Sequence, residues 1–222
     1  MFLPAPHFTK RTGINLIEVV QGSVTAGGSN TVTMPANAGR SDVLVLAFTA
    51  GAVDPATGSS PSIAGFTTIA SQGDTDDQRA RLSYAFGPGA TAVLTTNSTT
   101  RNVAYIIYSF LGAVIGEAPS GAMAGEVGSS TGPNPPSRTP TVNGSEIVIF
   151  GGVVDTTTTT GWAAPTNYSN LLVQSAGDSI SQNVVIMSAR RNLATAAAED
   201  PGVFTPTNTA NWKAATAVIK PA

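Results

Sequence analysis

Short apolar runs of strand length, rich in Val, Ile and Thr, alternate along this chain with clusters of Gly, Pro, Asn, Asp and Ser. β-Branched residues lose side-chain freedom in a helix and suit a pleated, half-buried surface. The pattern predicts strands over 15–20, 30–34, 42–50, 67–71, 80–86, 92–96, 103–110, 146–154, 170–174, 182–189 and 214–219. Ala26-Gly27-Gly28-Ser29, Gly87-Pro88-Gly89 and Asp200-Pro201-Gly202 mark turns between them. No window carries a helical period over about 11 residues, and 194–199 offers a single turn at most.

The order of apolar segments repeats. Ser41-Asp42-Val43-Leu44-Val45-Leu46-Ala47-Phe48, Gly65-Phe66-Thr67-Thr68-Ile69, Arg81-Leu82-Ser83-Tyr84-Ala85 and Asn102-Val103-Ala104-Tyr105-Ile106-Ile107-Tyr108 form a first series. Ser145-Glu146-Ile147-Val148-Ile149-Phe150, Gly161-Trp162 with Tyr168 and Leu171-Leu172-Val173, Asn183-Val184-Val185-Ile186-Met187-Ser188 and Trp212 to Ile219 form a second. Each half supplies about four strands, too few to close a core of its own once edges are counted. The pattern therefore predicts an all-β fold: a two-sheet antiparallel sandwich of jelly-roll type with an internal pseudo-repeat, its halves interleaved. The expected organisation is an extended N-terminal arm, 1–13, and one domain, 14–222. Halves of about 14–115 and 140–222 are joined by a Gly/Pro/Ser-rich surface crossover, 116–140.

Composition narrows the chemistry. Eleven Lys and Arg against thirteen Asp and Glu give a net charge of −2, with neither a basic footprint for nucleic acid nor a polybasic membrane anchor. Mean hydropathy is +0.12 and charged residues are 11%, which argues against a disordered chain. Without cysteine there is no disulfide, thiolate zinc site or cysteine nucleophile, and the single histidine, His7, rules out a multi-histidine site. No apolar stretch reaches the roughly 18 residues of a membrane span. Met1 to Phe8 is broken by Pro4 and Pro6 with its basic pair placed after it, unlike a signal peptide. No cofactor is expected.

Few side chains carry candidate chemistry. Asp74, Asp76 and Asp77 form an acidic turn with the oxygen chemistry for a cation, but it lacks the glycine and closing glutamate of a calcium loop. Paired carboxylates for glycoside hydrolysis have no identifiable members, and no phosphate loop or nucleophile elbow is present, so the expectation is a non-enzyme. Trp162, Tyr168 and Trp212 at strand boundaries suit core caps, or sugar contacts beside the Thr156–Thr160 run. Arg190-Arg191 reads as a solvated pair ending a strand.

Three motifs resemble a family of jelly-roll proteins of tailed bacteriophage particles and prophages. They are Asp42-Val43-Leu44-Val45-Leu46 after the 35–39 stretch, Gly65-Phe66-Thr67-Thr68-Ile69, and Trp212-Lys213-Ala214-Ala215-Thr216-Ala217-Val218-Ile219. The resemblance covers about 15–220 and departs at Gly161-Trp162, where no Thr-x-Ile follows. It implies a virion structural protein, foremost a capsid decoration or cement protein. Such a protein is made in the host cytoplasm, sits on the capsid exterior, binds the major capsid protein and self-associates, with a trimer favoured. Met1, Phe2, Leu3, Pro4, His7 and Phe8 of the arm are the expected capsid or intersubunit contacts, together with 116–140. The alternative is a tail-fibre or tail-tip module that binds carbohydrate or a host receptor through exposed Trp162 and Tyr168.

Overall fold

The apolar runs become strands in the computed structural model, which describes residues 13–24, 28–52, 60–73, 78–96, 102–129, 132–154, 160–177, 183–205 and 210–222. In chain order they are β1 (Asn15–Val24), β2 (Gly28–Thr33), β3 (Leu44–Ala52), β4 (Ser62–Ile63), β5 (Thr67–Gly73), β6 (Gln78–Phe86) and β7 (Thr91–Thr96). There follow β8 (Val103–Leu111), β9 (Ser120–Ser129), β10 (Ser145–Val154), β11 (Ser169–Ala176), β12 (Val184–Leu193) and β13 (Ala210–Ile219). No helix occurs among the described residues; 194–199 is irregular. The fold is all-β, and every strand pair is antiparallel.

Each half builds its own five-stranded sheet. The first has the order β1-β8-β3-β6-β5 and the second β9-β13-β10-β12-β11, which is one connectivity used twice. The registers match as well. Phe48 of β3 stands opposite Ile106 and Leu82, as Phe150 of β10 stands opposite Ala215 and Ser188. The bulge between Thr68 and Ala70 in β5 recurs between Ser169 and Leu172 in β11. Even the turn before these strands repeats: the Phe66 amide donates to the Ile63 carbonyl, and that of Tyr168 to Pro165. The left-handed residues of the two turns are Gly65 (φ 80°) and Asn167 (φ 71°). The partner of Gly65-Phe66 is thus Asn167-Tyr168, not Gly161-Trp162. Asparagine tolerates the left-handed region that glycine adopts freely, so the turn survives without its sequence signature.

The duplication also corrects the expected interleaving. Neither large sheet mixes strands of the two halves, because β1 and β9 give each half a fifth strand. The extra strand β9 lies inside the 116–140 segment expected to be a surface crossover. Its Gly and Ala residues hide it from a β-propensity reading, and packing explains them. A Cβ at Gly121 would stand 2.6 Å from Ile69 Cγ2 and 3.0 Å from Leu82 Cδ2. Small residues here let β9 approach β5 and β6. The rest of the segment is not loose either: Pro133 and Pro135 are buried, and Thr216 Oγ1 donates to the Pro136 carbonyl at 2.7 Å.

β3 and β10 are buried along their whole length, so their sequences are nearly continuous apolar runs. Leu44, Leu46, Phe48 and Ala50 share one core cluster with Val148, Phe150, Val154, Ile106, Tyr108 and Ile186, drawn from both large sheets. At its middle the Phe48 and Phe150 rings stack with centroids 5.0 Å apart. On the outer face of the first sheet, Val43, Val45 and Ala47 pack with Val32, Ile63 and Leu94 of a third sheet, β2-β7-β4. Ile147, Ile149 and Val153, on the outer face of the second, pack with Trp162, Tyr168 and Phe204. One chain thus forms three apolar layers around two sheets.

Candidate functional site

Several residues singled out from sequence lie outside the described residues: Met1, Phe2, Leu3, Pro4, His7, Phe8, Asp74, Asp76, Asp77 and Thr156 to Thr159. The aromatic candidates are described, and they are core. Trp162 is 7% exposed, Tyr168 8% and Trp212 4%, so none offers a free ring face to a sugar. This corrects the exposure on which glycan contacts at Trp162 and Tyr168 rest. The physical reason is area: these rings cover the outer face of β10, β12 and β13, where no third sheet lies among the described residues. Burial pushes the Tyr168 phenol up, and the nearby Glu199 carboxylate adds to the effect.

Arg190 and Arg191 are not a solvated pair. Adjacent residues of a strand face opposite ways, and each arginine finds its own carboxylate. Arg190 Nη1 lies 2.7 Å from Glu146 Oε1, whose side chain is 2% exposed, and Asn192 Nδ2 donates to Glu146 Oε2 at 3.3 Å. Arg191 Nη1 lies 2.6 Å from Glu199 Oε1. Glu146 occupies a core-facing position of β10, two residues before Val148, and Arg190 one of β12 two residues after Ser188. Charged residues on the core parity of two paired strands are the signal that could have revealed this pair.

Deeper between the sheets, Tyr108 Oη and Ser188 Oγ are 2.7 Å apart and fully buried. Burial pushes the Tyr108 phenol up to about 12, against a lesser lowering by the Ser188 hydrogen bond. A phenol held neutral to that pH does not serve as a general base near neutrality, so the pair ties the sheets together rather than activating Ser188. Towards the other end of the strands, Gln78 Nε2 donates to the Gly152 carbonyl at 2.8 Å, again from one large sheet to the other. These buried polar ties fix how the two sheets register on one another.

An open surface concavity lies at the end where β8 finishes. An open groove of about 540 Å³ is lined by Arg40, Asp42, Leu111, Gly112, Ile115 and Ala222. Ile115 is 63% exposed, the most exposed large apolar side chain among the described residues. Arg40 forms a two-point ion pair with Asp42, at 2.9 and 2.6 Å, on one wall. The floor is pinned by backbone bonds, Ala222 N–H to the Gly112 carbonyl at 2.7 Å and Val114 N–H to that of Lys220 at 3.1 Å. Gly112, at φ 81°, packs directly on the Gly13 backbone, so the 1–12 segment joins the described chain beside this groove.

Among the described residues no three His, Cys, Asp or Glu side chains are grouped to hold a metal ion. No helix there is long and apolar enough to cross a membrane. Comparison with family models, curated proteins and solved structures returned no match. The resemblance to phage virion proteins rests on three short motifs alone: the first runs from the turn before β3 into that strand, the second from the turn before β5 into that edge strand, and the third lies on β13.

Proposed function

We propose that this chain is a non-enzymatic structural protein of a bacteriophage particle, a decoration or cement protein on the capsid exterior. The fold is read as a two-sheet sandwich carrying a third, smaller sheet. The arm 1–13, with Phe2, Leu3 and Phe8, engages the major capsid protein. The observation that carries this reading is the groove next to Gly13, with Ile115 exposed on its lining. An exposed large apolar side chain in an open groove suits burial against another protein. A ligand of the assembled shell stabilises it by mass action, since the unassembled state does not bind. The glycan-binding alternative gains no support, because its two aromatic side chains are buried.

The test is binding to particles stripped of the protein. The full chain is expected to co-sediment with them and raise the temperature at which they rupture. A variant lacking 1–13 is expected to keep its fold, by circular dichroism, and to lose most of its binding. Equal binding by the truncated variant would remove the arm from the account, and failure of the full chain to bind would remove the capsid role.

A further inference from the structure

A sheet edge presents unpaired N–H and C=O groups that template pairing with another strand, and bulges are one device that spoils such an edge. The two large sheets have four edge strands, and every ladder made by one of them shifts register. The shifts fall between Leu16 and Glu18 in β1, Thr68 and Ala70 in β5, and Ser169 and Leu172 in β11. The fourth lies in the β9–β13 ladder, between Ala210 and Trp212. The ladders among central strands run without a shift. One long edge among the described strands lacks this protection. β2 is paired on one side only, with β7, and its register is regular from Gly28 to Thr33.

The groups that β2 presents can be deduced. Met34 N–H donates to the Ala90 carbonyl, continuing the β2–β7 ladder by one step, so alternate residues Val32 and Asn30 also bond towards β7. Ala64 N–H donates to the Val93 carbonyl, which places the Val93 backbone on the β4 side of β7 and agrees with this alternation. Ser29, Thr31 and Thr33 therefore turn their backbone N–H and C=O groups outward along the free edge. All three are exposed, and β2, Gly-Ser-Asn-Thr-Val-Thr, contains no charged residue and no proline.

We propose that the free edge of β2 pairs antiparallel with β2 of a second copy, joining the two three-stranded sheets into one of six strands. A two-fold axis at Thr31 sets Thr31 against itself and Ser29 against Thr33, each with outward-facing backbone groups, so the edge is self-complementary. Like charges opposed across a strand pair are destabilising, and β2 brings none together. A contact of six residues is small, so the pair forms reversibly and strengthens where copies are held close together. This inference is independent of the capsid reading and differs from the trimer expected there.

The chain has no cysteine, so one introduced at Thr31 reports on this contact alone. Cα atoms of a directly hydrogen-bonded antiparallel pair lie about 5.5 Å apart, within disulfide reach. Thr31→Cys in the full chain, treated with a mild copper oxidant, is expected to give a covalent dimer, while Val93→Cys, exposed on the same small sheet, gives several-fold less. Without oxidant, the weight-average mass of the unsubstituted chain is expected to climb from 22.4 kDa towards twice that value as concentration rises. Thr31→Pro removes an outward N–H without touching the β7 ladder and is expected to abolish this rise with the circular dichroism unchanged. Should that variant misfold, Thr31→Lys opposes two charges and makes the same prediction. A mass fixed at 22.4 kDa at all concentrations, or equal cross-linking at residues 31 and 93, overturns the proposal. So does cross-linking of Thr31→Cys to a cysteine placed in the arm of the same chain.

Discussion

Tyr108 shows how single side chains serve the whole. Its ring lies 6.0 Å from that of Phe150 across the two sheets, and its hydroxyl finds Ser188 on the opposite side. The folded phenol titrates near 12 against an ordinary 10.0, so the unfolded chain ionises first as pH rises. The stability this group contributes is therefore complete below about pH 10 and drains away towards pH 12, by about 3 kcal/mol. Tyr168 shifts in the same direction and steepens the same loss. Urea unfolding between pH 8 and 11 is expected to show a shallower decline in Tyr108→Phe than in the parent. At pH 8 the variant should be less stable by about 1–2 kcal/mol, the cost of leaving the Ser188 hydroxyl unpaired. An unchanged slope would mean that the phenol reaches solvent. The sequence marks Tyr108 only as one more residue of an apolar strand; its partner lies eighty residues away in chain order, where no local pattern reaches.

At the scale of elements, the strands that the pattern identified are those with β-branched residues on a buried face, such as β3, β8 and β10. The one long strand it missed, β9, is built from residues that a propensity scale assigns to loops. Its identity is set by what stands opposite: Ile69 and Leu82 leave no room for a side chain at Gly121. Gly121→Val is accordingly expected to cost about 2–3 kcal/mol through overpacking, read as a lower urea midpoint at unchanged slope. A neutral or stabilising valine would contradict the close approach of β9 to β5. The same logic explains the second-half turn. Asn167 does the work of Gly65 with a different side chain, so backbone conformation repeats where sequence does not.

For the molecule as a whole, the repeat was legible because the order and spacing of apolar segments survive divergence. How the halves combine was not, since it depends on whether each half owns four strands or five, and the fifth was β9 in one of them. Two copies of one sheet now share a single core, with a third sheet over the first copy and loops carrying Trp162, Tyr168 and Phe204 over the second. The asymmetry of these covers is what distinguishes the two faces. The candidate site was legible only in outline. The apolar arm could be read from Phe2, Leu3 and Phe8, whereas the groove at its base needs Ile115 and Ala222 brought together by the backbone bonds of Gly112 and Lys220. The capsid-wide structural role proposed above turns on copy number, which can be counted in purified particles. Quantitative mass spectrometry is expected to find this chain at a ratio to the major capsid protein of the order of one to a few subunits. A handful of copies per particle, or none, would contradict it.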